Sequence, residues 1–289
     1  MAATSDRREA RKKEAARHTG LMKGVFGSDI AATVEAALIY EDGDGRSLEL
    51  PEAAFDATKT SVTTAFAPAA LQEAKGRAAV IDPCSFTRPG GAYLDGAFGP
   101  EQVICADSAL FPILEALKKR YHDGNRGYAA GQLFTDRALY LPDVVFNRNG
   151  EIRKADVIAL PEPNLARARE NNRGESECNQ AIENRIRTFL NIAAANGDET
   201  VICGAFGCGR QGYPADRVIA IFQSWLDEHP GSLKQIVFAV PRAQFDAFDA
   251  AFGAPKEEAP EPAPKQDVED DPNAFDVHDI DLPEGVTLR

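Results

Sequence analysis

The chain has 289 residues, 44% of them hydrophobic, which is enough for a single domain of about 250 residues with a substantial core. Its formal net charge of -13 argues against direct nucleic-acid binding, and no apolar run is long enough to cross a membrane. Five cysteines without paired metal-ligand spacing, in a sequence without a signal peptide, predict a reducing, cytoplasmic location and no metal site.

The two ends of the chain differ in composition from the middle. Good helix formers over residues 5–18 predict a solvated amphipathic helix that begins at Ser5 or Asp6 and ends at Gly20. Residues 254–289 carry eleven acidic side chains against three basic ones and are rich in proline, which predicts a disordered acidic tail. The tail either keeps the protein soluble or docks on a protein partner. The folded domain is therefore expected to cover residues 1–253.

Residues 78–110 join a buried strand, a glycine turn and the start of a helix. The strand covers residues 78–81, and a helix is predicted over residues 103–117 with a continuation to Tyr121. Between them, the first glycine loop (residues 89–92) contains Gly90 and Gly91, where the missing Cβ atoms let consecutive N–H groups point at one anion. An ordinary turn between a strand and a helix fits this stretch equally well.

A second stretch about a hundred residues later repeats the arrangement. A strand predicted over residues 201–206 enters the second glycine loop (residues 204–212), and a helix follows over residues 215–229. A helix N-terminus behind a glycine loop offers free N–H groups and the positive end of a dipole to an anion. Two such loops in one α/β chain predict a diphosphate held between them, as in a nucleotide-sugar ligand.

The remaining elements complete an α/β fold. Pro142 interrupts a strand over residues 138–146 and places it at a sheet edge or a bend, and residues 147–150 form a hairpin turn. Asn164, after the next strand, either contacts a ligand or fixes a turn. The other predicted elements are short or buried strands over residues 47–50, 155–160 and 235–240, helices over 177–195 and 242–252, and a polar insertion or substrate lid over 167–178.

Several segments carry a resemblance to a known family. They include an N-terminal helix, a threonine-containing segment over residues 60–71, the Pro89-Gly90-Gly91 loop, a Pro163-Asn164 pair and, most specifically, residues 204–209 with the sequence GAFGCG. On these segments the chain resembles the microbial-type poly(ADP-ribose) glycohydrolases, a branch of the macrodomain superfamily. The resemblance covers most of residues 1–253, with a helical extension over about residues 1–60.

The resemblance implies a three-layer α/β/α fold with a mixed sheet, which binds ADP-ribose or an ADP-ribosylated protein without a cofactor. In active members this fold cleaves the ribose–ribose bond. The residues implied to contact ADP-ribose are Asp82, Ser85, Gly90, Gly91, Ala92, Gly204, Ala205, Phe206, Gly207, Cys208 and Gly209. Phe206 is expected to pack against a ribose, or else to fill the space beneath the loop.

The chain departs from the family pattern at its catalytic motif. The family has three glycines followed, after a spacer, by Gln-Glu-Glu, whereas here Ala92 replaces the third glycine and Gln102 stands at the catalytic second glutamate. An amide cannot exchange the proton that glycoside cleavage requires of a carboxyl group. The alternatives are an ADP-ribose-binding domain without hydrolysis, a hydrolase that uses Glu101, or cleavage assisted by the substrate. Asp82 also replaces the asparagine that the family has at the end of its strand.

Two functions of other classes remain open. Residues 207–212 fit the Gly-x-Gly-x-x-Gly fingerprint of dinucleotide-binding oxidoreductases, although the next strand ends without an acid for a ribose. Alternatively, the pocket is vestigial and the acidic tail recruits a protein partner.

Overall fold

The computed structural model describes residues 2–254, with the exception of 129, 130 and 242. The described residues form one sheet of seven strands: β1 Leu38–Tyr40, β2 Lys59–Thr63, β3 Ala78–Pro83, β4 Ala138–Arg148, β5 Glu151–Leu160, β6 Thr200–Cys203 and β7 Gln235–Ala239. Their order is β1-β4-β5-β3-β6-β7-β2. Strands β5, β3, β6, β7 and β2 run parallel, whereas β4 is antiparallel to both of its neighbours.

Helices cover both faces of this sheet. The helices in the described residues are α1 Ala2–Val25, α2 Gly27–Ala36, α3 Ala67–Glu73, α4 Pro100–Ala106, α5 Leu110–Ala116, α6 Leu165–Glu170, α7 Glu175–Ala195, α8 Ala215–Glu228 and α9 Phe245–Phe252. Side chains of α1 and α3–α5 pack on one face of the sheet, and those of α6–α9 pack on the other. The predicted three-layer α/β/α architecture is therefore confirmed.

Strand β3 lies at the centre and contributes to both cores. Ala79 and Ile81 face the layer of α6–α9, whereas Ala78 and Val80 face the layer of α1–α5. All four are almost completely buried, as expected for a parallel strand with a helix layer on each side. This burial explains why the strand appears in the sequence as a continuous apolar run rather than an alternating one.

The N-terminal region differs from its prediction. Helix α1 passes through Gly20, the predicted end, and continues to Val25. The region up to residue 60 is not only helical, because β1 pairs with β4 and β2 begins at Lys59. The strand predicted over residues 47–50 is also absent from this described segment, where residues 45–47 form a 3₁₀ turn instead.

The long helix predicted after Gln102 is divided into α4 and α5 at Ser108. The Ser108 hydroxyl donates to the Ile104 carbonyl and accepts from the Leu110 N–H, so it ends one helix and begins the next. Ser108 also forms a β-bridge with Phe146 of β4. A contact with a distant strand therefore overrides the helical pattern of the sequence.

The structure decides between the predicted alternatives for Pro142 and Asn164. Pro142 lies at a shift of register between β4 and β5, which places it at a bulge in an interior strand rather than at an edge. Asn164 caps helix α6, where its side-chain oxygen accepts from the Arg167 N–H at 3.0 Å. That contact supports the structural alternative for Asn164. The predicted insertion or lid contains the end of α6 and the start of α7.

In the part of the chain that the structure describes, no helix has the length and apolar character that a membrane crossing requires. The predicted acidic tail lies outside the described residues from residue 255 onward.

Candidate functional site

A cavity of about 330 Å³ opens at the carboxyl ends of the central strands. Parallel α/β sheets place ligands at this edge, because loops that follow neighbouring strands meet there. The walls are mostly apolar and come from the segment before α3, the start of α4, the ends of β3 and β5, the second glycine loop and the segment after β7. The lining includes Phe66, Phe98, Pro100, Glu162, Gly204, Ala205, Phe206, Cys208, Gly209, Pro241 and Gln244.

The second glycine loop is shaped by residues with positive φ. Gly207 has φ of +80° and Gly209 has φ of +68°, a conformation that side chains with a Cβ rarely adopt. Space is a second constraint at Gly207, because a Cβ there would lie 2.5 Å from Cδ1 of the buried Ile182. Phe206 lines the cavity while its ring packs against Phe189, with ring centroids 5.3 Å apart. Phe206 therefore belongs both to the cavity wall and to the core beneath it.

Glu162, which the sequence analysis did not select, accepts hydrogen bonds from this loop. The Gly207 N–H donates to Glu162 Oε1 at 2.7 Å, and Gln211 Nε2 donates to Oε2 at 3.1 Å. Burial raises the pKa of the Glu162 carboxyl to about 7, although these two hydrogen bonds lower it in part. The available sequence signal was an acid between two prolines directly after a buried strand, but its partners lie 45 and 49 residues away.

The first glycine loop folds over the start of α4 rather than into the cavity. Gly90 and Gly91 have φ of +61° and +56°, and a Cβ on Gly91 would lie 2.9 Å from Glu101 Oε2 and 3.0 Å from Gln102 Nε2. The loop therefore needs glycine here to approach both side chains of α4. Ala92 has a φ of -104°, which is in the ordinary range, so the loop accommodates a Cβ at this position.

Glu101 and Gln102 lie in the first turn of α4 and contact each other. Glu101 is 5% exposed, and its Oε2 accepts from the Ser85 N–H at 3.1 Å and from Gln102 Nε2 at 3.3 Å. Gln102 Nε2 also donates to the Gly90 carbonyl at 3.1 Å. Burial, with a smaller contribution from Asp82, holds the pKa of Glu101 well above its usual range. The raised pKa favours the protonated form of Glu101, which is the form that can donate a proton.

Asp82 lies between these two groups of residues at the end of β3. Its side chain is fully buried, and neither carboxyl oxygen has a hydrogen-bond partner among the described residues. Burial and the nearby Glu162 carboxylate raise the pKa of Asp82 to about 8. Glu162 contributes to the raised pKa of Asp82, and Asp82 contributes to the raised pKa of Glu101, so Asp82 lies within electrostatic range of both carboxyl groups.

The predicted site residues thus fall into two groups on either side of the α4 N-terminus. One group lines the cavity and contains Gly204, Ala205, Phe206, Cys208 and Gly209, with Gly207 joined to it through Glu162. The other group lies around the buried face of α4 and contains Asp82, Ser85, Gly90, Gly91, Ala92, Glu101 and Gln102, which are not among the described lining residues of the cavity. Pro100 at the start of α4 connects the two groups, because it lines the cavity.

The aromatic wall of the cavity was also missed. Phe66 and Phe98 lie edge to face, with ring centroids 6.1 Å apart, although 32 residues separate them in the chain. Phe98 is 53% exposed, an unusual state for a phenylalanine beside a cavity. Phe66 lies in the segment over residues 60–71 that carries the resemblance, but no sequence pattern joins it to Phe98, so only the fold brings the two rings together.

The fold and the cavity define an α/β/α domain of the macrodomain type with a ligand site at the carboxyl edge of its sheet. Residues 13–149 match the family model described as microbial-type PARG, catalytic domain, where PARG is poly(ADP-ribose) glycohydrolase. Over these residues the chain is similar to the microbial-type PARG family. The match includes the first glycine loop and α4, but it ends before the second glycine loop.

Solved structures of bacterial relatives have the same fold. Poly(ADP-ribose) glycohydrolase from Thermomonospora curvata is 24% identical, with a TM-score of 0.75 over 85% of this chain and 100% of that one. The same enzyme bound to the inhibitor ADP-HPD gives 25% identity and a TM-score of 0.71, over 85% of this chain and 98% of that one. The enzyme from Deinococcus radiodurans in complex with ADP-ribose is 22% identical, with a TM-score of 0.67 over 77% of this chain and 96% of that one. No curated protein sequence matches the chain.

Proposed function

We propose that this chain binds ADP-ribose, free or attached to a protein, in the cavity at the carboxyl edge of its sheet. The observation that carries the proposal is the second glycine loop, whose positive-φ glycines and Phe206 form a wall of this cavity. Backbone N–H groups of such a loop suit phosphate oxygens, and an aromatic ring suits the apolar face of a ribose. The likeness to an enzyme solved with ADP-ribose supports the same ligand class.

The remaining walls suit the other parts of this ligand. Phe66 and Phe98 offer aromatic surface to a flat purine base, and Pro241 and Gln244 also line the cavity. The cavity volume of about 330 Å³ is at the lower end of the range for small-molecule sites. We therefore expect part of the ligand to extend out of the cavity, which is what an ADP-ribosyl group attached to a protein requires.

Hydrolysis is a second proposal, favoured by Glu101 alone. Glu101 Oε1 has no hydrogen-bond partner among the described residues, and the raised pKa of this carboxyl favours the protonated form that a leaving oxygen requires. In such a step the carboxylic acid protonates the leaving oxygen and the bond from this oxygen to the anomeric carbon breaks. Water then adds to that carbon and gives one proton to the carboxylate, which regenerates the acid. The Ser85 and Gly91 backbone encloses Glu101, so this chemistry requires the first glycine loop to open. Without that opening, Glu101 and Gln102 only hold the loop on α4.

The test combines binding and release. Isothermal titration calorimetry with ADP-ribose should show binding that Phe206→Ala weakens, while the release of ADP-ribose from an automodified polymerase measures hydrolysis in the same preparation. Release that Glu101→Ala abolishes would establish the hydrolase, whereas binding without release would establish a domain that only recognises the ligand. Gln102→Glu restores the family's carboxyl group, and release only in that variant would assign the inactivity to residue 102. Failure to bind ADP-ribose under any condition would refute the proposal and leave the dinucleotide alternative to be tested with NAD.

The cytoplasmic location stays a prediction, supported by five cysteines that are all free and buried. The role of the acidic tail in recruiting a partner also stays a prediction.

A further inference from the structure

Glu162 makes the contact that a phosphate oxygen would make in the proposed site. We propose that Glu162 is an intramolecular competitor for the anion site of the second glycine loop, so that a diphosphate binds only when this carboxylate leaves Gly207 or accepts a proton. This inference rests on the proposed function, because it concerns how the same loop selects its ligand. It assigns to Glu162 a role in specificity and in pH dependence.

The geometry supports competition rather than cooperation. The Gly207 N–H has a single hydrogen to donate, so the carboxylate and a phosphate oxygen would compete for it. Its hydrogen bond to Glu162 Oε1 is short, at 2.7 Å. Gln211 Nε2 holds the second oxygen at 3.1 Å, so both oxygens of the carboxylate face donors of this loop. Glu162 also lines the cavity. A ligand phosphate that approaches the Gly207 N–H would therefore meet the carboxylate at the same position.

Charge adds to this steric competition. A charge-assisted hydrogen bond to a backbone N–H is stronger than a neutral one, so the ionised carboxylate holds the loop best. A diphosphate beside the ionised carboxylate would also meet a like charge in a poorly solvated place. Protonation of Glu162 weakens its contact with Gly207 and removes the repulsion. Ligand binding and proton uptake by Glu162 are therefore coupled.

The groups that face Glu162 determine how this coupling appears against pH. They are Gly207 N and Gln211 Nε2 from the loop, the Cys208 thiol from the same loop, and the Asp82 carboxyl from β3. Burial raises the pKa of Cys208 to about 12, so this thiol stays neutral near pH 7. Asp82, with a pKa of about 8, is the other carboxyl that titrates nearby and requires its own control.

The expected pH dependence follows from the position of the Glu162 pKa at about 7. At pH 6 the carboxyl is mostly protonated and the loop is available, whereas at pH 8 it is mostly ionised. If only the protonated form admits the diphosphate, the affinity falls about tenfold between these two pH values. The phosphate groups of ADP-ribose stay ionised over the whole range and add no slope of their own.

The experiment measures ADP-ribose affinity by calorimetry at pH 6, 7 and 8 for the full chain and three variants. Glu162→Ala removes the competitor, and we expect it to bind about tenfold more tightly than the wild type at pH 8 and to lose most of the pH dependence. Glu162→Gln keeps the shape and an acceptor oxygen but not the charge, and it should lose the pH dependence as well. Asp82→Asn should keep the part of the pH dependence of ADP-ribose affinity that comes from Glu162.

Adenosine provides the ligand control, because it has no phosphate. Its affinity should not respond to Glu162→Ala or to pH if the effect lies at the anion site. Wild-type binding of ADP-ribose that is equal at pH 6 and 8, or that Glu162→Ala does not strengthen at pH 8, would overturn this inference and leave the proposed function standing. Failure of the wild type and of Glu162→Ala to bind ADP-ribose even at pH 6 would instead refute the proposed function.

Discussion

The second glycine loop requires glycine at two positions for different reasons, and a pair of alanine substitutions separates these reasons. Gly207 and Gly209 both have positive φ, so Gly→Ala costs about 1–2 kcal/mol at either position through backbone strain. At Gly209 no heavy atom lies within 4 Å of the new Cβ, whereas at Gly207 this Cβ would lie 2.5 Å from Ile182 Cδ1 and 3.3 Å from Tyr213 Cδ2. Overpacking of this kind costs a further 1–3 kcal/mol, roughly.

The two variants should therefore differ in stability. Alanine also restricts the unfolded chain, which raises the free energy of unfolding by about 0.4–1 kcal/mol. This effect is the same at both positions and cancels in the comparison. We expect Gly209→Ala to lower the free energy of unfolding by about 1 kcal/mol and Gly207→Ala by about 2–4 kcal/mol. Urea denaturation followed by circular dichroism measures both values, and a domain of this size shifts its Tm by about 2–4 °C per kcal/mol.

A double variant tests whether Ile182 causes the difference. Ile182→Val removes the Cδ1 atom that the new Cβ at residue 207 would overlap. Made alone, this substitution should lower the free energy of unfolding by about 0.5–1.5 kcal/mol. In combination with Gly207→Ala, this substitution should relieve part of the overpacking. The double variant should therefore lose less free energy of unfolding than the two single variants lose together. Equal stabilities of Gly207→Ala and Gly209→Ala, or additive effects in the double variant, would contradict the steric account of Gly207.

Three further predictions concern stability elsewhere in the domain. Trp225→Phe should cost about 1–3 kcal/mol in urea denaturation, because Trp225 Nε1 donates to the buried Asn191 Oδ1 at 2.8 Å, and loss of the donor leaves that oxygen unpaired. Gly96→Ala should release α1 from its contact, since the new Cβ would lie 2.1 Å from the Arg8 carbonyl oxygen, and faster hydrogen exchange confined to α1 would report this release. Burial raises the pKa of Asp198 from 3.8 to about 8, so its favourable contribution is complete below pH 3.8 and is lost as the pH rises through 8. Relative to Asp198→Asn, the wild type should thus lose stability between pH 4 and 8, and parallel curves would contradict this assignment.

The elements that matter most for the site were predictable from the sequence. Strands β3 and β6, and the loops that follow them, have strong local signals, because a strand buried on both faces is a continuous apolar run and a positive φ selects glycine. The hairpin turn between β4 and β5 was predictable for the same reason, since Asn149 and Gly150 both have positive φ. Local chemistry determines these features, so a local pattern reveals them.

The parts that the sequence did not predict depend on distant contacts. The break between α4 and α5 occurs where Ser108 forms a β-bridge with Phe146, a residue 38 positions away. The local sequence pattern does not predict this break. Likewise, Glu162 follows a strand as any polar turn residue would, and only the fold places it on the Gly207 N–H. The separation of Glu101 from the cavity wall is a third example, because the first glycine loop closes over it.

Three buried carboxyl groups determine the pH at which the proposed function should be tested. Glu162, Asp82 and Glu101 all have raised pKa values, with burial as the first cause in each, and two of these values lie at about 7 and about 8. Of the three, only Glu162 is among the described lining residues of the cavity, so we expect its protonated form to favour the diphosphate of ADP-ribose. Hydrolysis through Glu101 would require the same state, because an acid must hold its proton before it donates it. ADP-ribose binding should therefore be stronger at pH 6 than at pH 8, and an assay run only at pH 8 would understate the affinity about tenfold.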